Sequence, residues 1–262
     1  MRYVLTIAGS DSCGGAGIHA DIKTITALGC HALTAVTAVT AQNSHGIVAL
    51  HDVPEGFISL QIETVVKDLI PDAVKIGMLP TVSAIKELAG AIRNIGVKHI
   101  ILDPVMKASA GGYLMGDSSI SVLKEVLLPV SAVITPNIDE AGVLVGERVG
   151  RLEEMEEAAK ELKKIGPDVI ITGGHLEGEC TDILFDGKEI AVFRDSKIDT
   201  KNTHGSGCVF SSSLATFLAL GYDMRRAAGL AHDFTRRAIE RGYPCGSGPG
   251  PVSPPGNFGL RS

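Results

Sequence analysis

A cysteine follows two glycines at the start of a long apolar run in "NTHGSGCVFSSSLATFLALG", Asn202 to Gly221. Gly205, Ser206 and Gly207 fall in the expected first turn of a helix. Backbone N–H groups there have no intrahelical partner, and the macrodipole adds about half a positive charge. Glycine leaves those amides open to a bulky anion, because no Cβ stands in the way. The turn is a candidate cradle for phosphoryl oxygens, including charge that develops during transfer. Cys208 stands in the same cradle. A thiol at a helix N-terminus is expected to ionise below its free value of about 8.5, and so to accept a proton from a substrate hydroxyl. A free cysteine also packs as a small hydrophobe, and the turn by itself leaves both readings open.

Other polar residues close a series of short apolar runs: Gly9-Ser10-Asp11, Gln42-Asn43, Gly77-Met78, Asp103-Pro104, Thr135-Pro136-Asn137 and Thr172-Gly173-Gly174. Each alone reads as a turn. Together, on the carboxyl edge of one sheet, they point to a ligand site. In "GGAGIHA", Gly15, Gly17 and Ala20 match the spacing of a dinucleotide-binding turn. That reading needs an acid at the end of the second strand, where this chain has Gln42, so it is set aside. The glycines then serve close packing of helix on sheet, or a wall over a small flat substrate. No GxxxxGK[ST], GxSxG or HExxH motif occurs. His204, beside the glycine turn, reads as a surface or capping residue ahead of a ligand-binding one.

The elements that must carry these residues alternate along the chain. "RYVLTIAGS", "HALTAVTAVTAQ", "DAVKIGML", "VKHIILDPVM", "SAVITPN" and "DVIITGG" read as six strands. Between them, "AGIHADIKTITALG", "GFISLQIETVVKDLI", "TVSAIKELAGAIRNIG", "ISVLKEVLL" and "RLEEMEEAAKELKKIG" have helical periodicity. Ile58, Ile62, Val65, Val66 and Leu69 share one face of the second. Leu152, Met155, Ala159, Leu162 and Ile165 share one face of the fifth. "TDILFDGKEIAVFRD" carries an Asp-Gly between apolar runs, a hairpin signal. Two helices follow, from Gly205 and from about Asp223. Such βα alternation predicts a mostly parallel sheet with helices on both faces and right-handed crossovers.

With 262 residues, no linker and no internal repeat, the chain reads as one domain. A net charge of −6 without a basic run argues against nucleic acid or an anionic membrane as partner. Phosphate must be held by local donors. Five scattered cysteines without CxxC fit a reducing cytoplasm better than a disulfide framework or a zinc site.

"AGSDSCGGAGIHADIKT", "VTAQNSHGI", "KIGML", "LDPVM", "TPNIDEA", "GGHLEG" and "NTHGSGC" occur in that order, with "GSGPGPVSP" near the end. The series resembles the hydroxymethylpyrimidine/phosphomethylpyrimidine kinases of thiamine biosynthesis, a branch of the ribokinase superfamily. The resemblance covers nearly the whole chain. It implies a single ribokinase-like α/β domain over residues 1–262, ATP and Mg²⁺ as cofactors, and a homodimer. No second thiamine-pathway domain is expected. It places Gln42 on the aminopyrimidine edge, with Gly9, Asp21 and Met78 lining the pocket. Asp103 and Glu140 match the carboxylates used around Mg²⁺, and Asn137 and Thr172 fall by the nucleotide phosphates. Cys208 takes the base position that sugar kinases fill with aspartate. Two departures stand out. Thr172 replaces a lysine that many members carry, and Ser12-Cys13 replaces Pro-Ser or Ser-Gly. Pyridoxal kinase on the same scaffold is the enzyme alternative; a non-catalytic pyrimidine sensor is the other.

Overall fold

A computed structural model of the chain describes residues 1–107, 112, 114–174, 176, 178–256 and 258. In chain order its elements are β1 (Tyr3–Ala8), α1 (Gly17–Ala27), β2 (His31–Val36), β3 (Ala38–Asn43), β4 (Gly46–Asp52), α2 (Phe57–Val66), β5 (Ala73–Ile76), α3 (Val82–Arg93), β6 (His99–Leu102), α4 (Asp117–Val126), β7 (Val133–Ile134), α5 (Ile138–Val145), α6 (Leu152–Lys163), β8 (Asp168–Ile171), β9 (Glu179–Phe185), β10 (Ile190–Ser196), α7 (Ser206–Ala219) and α8 (Met224–Glu240). The main sheet has eight strands in the order β10-β9-β8-β7-β6-β5-β1-β2. It is parallel from β2 to β8, and β9 and β10 are antiparallel additions. The Asp-Gly hairpin is there: Asp186 Oδ1 accepts the amides of Lys188 and Glu189, and Gly187 takes φ +96°.

Alternate strand residues feed two cores, as a period of two requires. Leu5, Ile7, Val74 and Ile76 join the core under α2 to α6. Val4, Ala73, Ile101, Val133 and Ile170 join the one under α1, α7 and α8. Each fully buried Leu, Ile or Val contributes about 1.5–3 kcal/mol. α7 is buried from Val209 to Ala219, polar residues included. Ser211, Ser212, Ser213 and Thr216 remain there because each hydroxyl donates to a carbonyl in the preceding turn.

Three elements differ from the sequence reading. "HALTAVTAVTAQ" is two strands in two sheets, because Thr37 breaks the run. Its N–H donates to Ala8 O and its hydroxyl to Met78 O, at 3.0 and 2.7 Å. The chain then leaves the main sheet, and β3 pairs antiparallel with an unexpected β4 in a separate two-stranded sheet. β4 carries no core-facing alternation to announce it: Val48 and Leu50 are exposed. The second surprise is α5, only eight residues long, which follows a proline and is started by its cap. Finally, only Val133 and Ile134 of "SAVITPN" pair as a strand. Among the described residues no helix is long and apolar enough to cross a membrane.

From β1 the sheet grows outward to β2, and from β5 it grows the other way through β6, β7 and β8. The switch point therefore lies between β1 and β5, and a crevice opens beyond their carboxyl ends.

Candidate active site

Gly9 and Gly77 end the two strands at the switch point. A Cβ on Gly9 would stand 2.2 Å from Met78 Cε, so the Met78 side chain lies directly across that strand end. Gly17, the first residue of α1, approaches equally closely: its Cβ would meet Gly9 O at 2.3 Å. The glycines of "GGAGIHA" thus serve contact between helix, loop and strand.

Asp11 organises the loop between β1 and α1. Its buried carboxylate accepts the amides of Cys13, Gly15 and Ala16 and pairs with His204 Nε2 at 2.8 Å. Burial opposes the charge on Asp11, yet His204 and the backbone donors outweigh it and hold the acid below its ordinary range. His204 is buried, not a surface residue. It fastens the loop to the turn ahead of α7, and its backbone bridges to Gly250 and Val252 of the C-terminal segment. Both residues were visible in the sequence, but their pairing was not, since a lone Asp and a lone His gave no spacing to recognise.

Gly205 caps α7 with φ +84°, and its Cβ would stand 2.0 Å from Gly15 O. The first helical residue is Ser206, so Gly205 lies just outside the turn it was expected to begin. The Ser206 amide is spent on Thr203 O at 3.1 Å. No side chain caps α7, and the Gly207 and Cys208 amides have no partner among the described residues. The Gly205 amide is without a partner there as well, so three bare amides stand at this helix start. Cys208 is the third residue of α7, and the Gly17 amide at the start of α1 favours its ionised form. Its ionisation nevertheless overturns the expectation. Burial pushes the thiol up to about 12, against the lowering effects of Lys75 and the Gly17 amide. Desolvation outweighs the helix ends.

Gln42 sits at a bulge in β3, where the register with β4 shifts between Ala41 and Gln42. Ser12 pins it: Ser12 Oγ accepts Gln42 N–H at 2.8 Å and donates to Gln42 O at 2.9 Å. Gln42 Oε1 accepts from Thr40 Oγ1, and its amide nitrogen has no partner among the described residues. Ser12 is therefore what connects Gln42 to the loop around Asp11. Asp21, expected on the pocket wall, is fully buried beneath it. Lys75 Nζ reaches its two oxygens at 3.1 and 2.9 Å, and Thr6 Oγ1 donates at 2.6 Å.

Asp103 ends β6, buried, with Oδ2 accepting from Ser211 Oγ of α7 at 2.8 Å. Asn137 and Glu140 form a capping box at the start of α5. Asn137 Oδ1 accepts the Glu140 amide, and Glu140 Oε2 accepts the Asn137 amide, both at 2.9 Å. Burial, then the charge of Asp103, pushes Glu140 up to about 8, and burial raises Asp103 as well. The buried hydroxyl of Thr135, between these acids in sequence, has no partner among the described residues. Thr172 bridges Asn137 and donates its amide to Pro136 O. His175 and Glu177 of "GGHLEG" lie outside the described residues.

The fold is ribokinase-like, and bare helix amides with two buried acids after the neighbouring strands β6 and β7 suit phosphoryl transfer to a small molecule. Comparison with known proteins is narrower. The sequence profile of phosphomethylpyrimidine kinase matches residues 11–253. The hydroxymethylpyrimidine/phosphomethylpyrimidine kinase of Bacillus subtilis is 44% identical over 252 residues, covering 95% of this chain and 93% of that protein. The thiamine biosynthesis bifunctional protein ThiED of Geobacter sulfurreducens is also 44% identical over 95% of this chain, which spans 51% of its length. Among solved structures, an ADP complex of Bacillus subtilis pyridoxal kinase superposes with TM-score 0.91 at 36% identity, covering 97% of each chain. The chain belongs to the phosphomethylpyrimidine kinase family.

Proposed function

We propose that the protein transfers the terminal phosphoryl group of ATP to the hydroxymethyl of 4-amino-5-hydroxymethyl-2-methylpyrimidine, and then phosphorylates the monophosphate to the diphosphate. The carrying observation is that Cys208 stands in the uncapped first turn of α7, beside unpartnered backbone amides, in a helix that Ser211 ties to Asp103. The Gln42 amide offers a donor beside an acceptor to the aminopyrimidine edge. Met78 packs the ring face against Gly9. The bare amides receive the charge that spreads over the migrating phosphoryl oxygens. Cys208 accepts the hydroxyl proton. With its thiol at about 12, it does so during transfer, when that proton becomes strongly acidic, and passes its own proton on to a phosphoryl oxygen. Asn137 and Thr172 lie at the adjacent strand ends, where the nucleotide phosphates would extend.

Asp103 and Glu140 fit a magnesium ion. Mg²⁺ takes one or two carboxylates and keeps several waters, and the charge of Asp103 acts on Glu140. Bound there, the ion would neutralise charge on the phosphates. The acids themselves give a test. In the metal-free folded protein Glu140 keeps its proton from the ordinary carboxylate range up to about 8, whereas the unfolded chain has released it. The unfolded state binds fewer protons across that window, so stability falls as pH rises through it. Mg²⁺ requires the ionised form. Its gain in Tm is therefore expected to be larger near about pH 8 than about pH 6, and Glu140→Gln to abolish the difference. An equal gain at both pH values removes Glu140 from the metal site.

A coupled ADP-release assay with hydroxymethylpyrimidine, its monophosphate and pyridoxal decides the reading. ADP from both pyrimidines supports it. Turnover of pyridoxal alone favours the second reading, which rests on the likeness to pyridoxal kinase. Ligand binding with no ADP from any of them favours a sensor. A cytoplasmic setting is supported by five unpaired cysteines. A homodimer is supported by the exposed Val39, Val48 and Leu50 of the β3–β4 hairpin, and sedimentation of the protein tests it.

A further inference from the structure

We infer that His232 of α8 is a positioning residue for the nucleotide: by gripping Asp182 and Asp195 it fixes the two stretches of chain that leave the sheet beside the nucleotide phosphates, the turn at 172–174 and the segment that leads to Gly205. The inference deepens the kinase reading and rests on it for the identity of the ligand.

Strand register brings this cluster to the ligand edge of the sheet. β9 runs antiparallel to β8, with Ile183 opposite Ile171, so its first residues stand beside the carboxyl end of β8. β10 returns along β9, with Phe193 opposite Asp182 and Asp195 opposite Cys180. Residues two apart on a strand share a face. Leu184, Ala191 and Phe193 pack in the core under α1, α7 and α8, so Asp182 and Asp195 face α8 as well. His232 meets them there, buried like Asp182.

His232 Nδ1 lies 2.7 Å from Asp182 Oδ2, and Nε2 lies 3.2 Å from Asp195 Oδ2. A carboxylate only accepts, so both ring nitrogens donate and the ring is an imidazolium. Burial opposes that charge, yet Asp182 and then Asp195 keep the ring protonated above its ordinary range. One turn further along α8, Arg236 shares the face. It donates to Ser196 O at 2.6 Å and stands 3.7 Å from Asp195 Oδ1. Cys180, on the same face of β9, stays a neutral thiol, pushed up to about 11 by burial and then by Asp182 and Asp195.

The second oxygen of Asp182 carries the grip to the nucleotide side. Asp182 Oδ1 accepts the Gly173 amide at 3.0 Å. Gly173 follows Thr172, whose own amide is held by Pro136 O at 3.0 Å. A Cβ on Gly173 would stand 2.1 Å from Thr181 O, so the turn lies flat against β9. With one oxygen on Gly173 and the other on His232, the Asp182 carboxylate cannot rotate away from the turn. Asp195 and Ser196 close β10, and the chain runs from them to Gly205 and the bare amides of α7. One helix therefore holds both stretches in register.

His232→Gln tests this, because glutamine offers one polar tip in place of two ring nitrogens and cannot grip both carboxylates. The KM for ATP and the Kd for ADP, the latter by calorimetric titration, are expected to rise about fivefold or more, with the pyrimidine KM within about twofold. Asp182→Asn keeps an oxygen for the Gly173 amide and a donor toward His232, so ADP affinity should stay within about twofold. Asp182→Leu loses that oxygen and should weaken ADP as His232→Gln does. Thermal melting checks that each variant folds. A merely structural cluster would lower the melting temperature and shift both KM values together, or neither. Unchanged ADP affinity in folded His232→Gln, or equal affinity in Asp182→Asn and Asp182→Leu, overturns the inference. Should the variants fail to fold, the unmodified protein still decides: its Gly173 amide should exchange slowly with deuterium before nucleotide is added, and rapid exchange overturns the inference. Absence of ADP formation by the unmodified protein would overturn the kinase reading instead, and amide exchange would be read independently of it.

Discussion

Cys208→Ala is expected to lower kcat by about 10²–10⁴-fold while changing the pyrimidine KM by no more than about twofold. The thiol lies in the first turn of α7, and the charged side chains that act on it are Lys75, Asp21 and Asp103. Asp21 is sealed under Lys75 and Thr6, and Asp103 is held by Ser211. Loss of the sulfur removes the proton path but leaves Gln42 and Met78, which hold the ring. Stopped turnovers and pyrimidine titration measure the two constants separately. A near-normal kcat in the alanine variant ends the role of Cys208, although the amide cradle would survive it. With the thiol at about 12, the rate should also lack a rise near neutral pH attributable to cysteine ionisation.

Gly205→Ala is expected to damage fold and site together. At φ +84° a side chain adopts the left-handed region, at a cost of about 1–2 kcal/mol. Its Cβ would also stand 2.0 Å from Gly15 O and 3.3 Å from Ala16 Cα. Overpacking of that kind costs about 1–3 kcal/mol more. The loop that must yield is the one Asp11 and His204 hold, so relief would pull Ser12, and with it Gln42, away from the cradle. Urea denaturation should show the lost stability, and both kcat and pyrimidine affinity should fall. Gly207→Ala is the contrast: a Cβ there meets nothing within 4 Å, and stability should hold or improve. Equal stability and activity of the two variants would remove Gly205 from the architecture of the site.

Much of this was readable along the chain, for reasons specific to each element. α6 was legible because Leu152, Met155, Ala159, Leu162 and Ile165 recur at helical spacing beside charged neighbours. The β9–β10 hairpin was legible because Asp186-Gly187 sits between two apolar runs. Strand ends showed themselves by a change of residue type from apolar to Gly, Asn and Asp. β4 was not legible, because its apolar side chains face outward and alternation with a core has no meaning there. The break at Thr37 was hidden as well: its hydroxyl is satisfied by Met78 O, a partner 41 residues away. The same holds for Asp11 with His204, which are separated by 193 residues, and for Lys75 with Asp21, which no local pattern could pair.

The order of residue types settled the alternating βα plan, the glycine turn before Cys208 and the gathering of polar residues on one sheet edge, because these follow from periodicity and local backbone preference. Tertiary structure alone decided the charge states. Whether a thiol is acidic, or an aspartate lines a pocket, depends on which distant groups share its volume and how much water they exclude. Helix-end geometry argued for an acidic Cys208; burial against α1 and the sheet reversed it. The same burial encloses Asp21, which pairs with Lys75 across 54 positions of the chain.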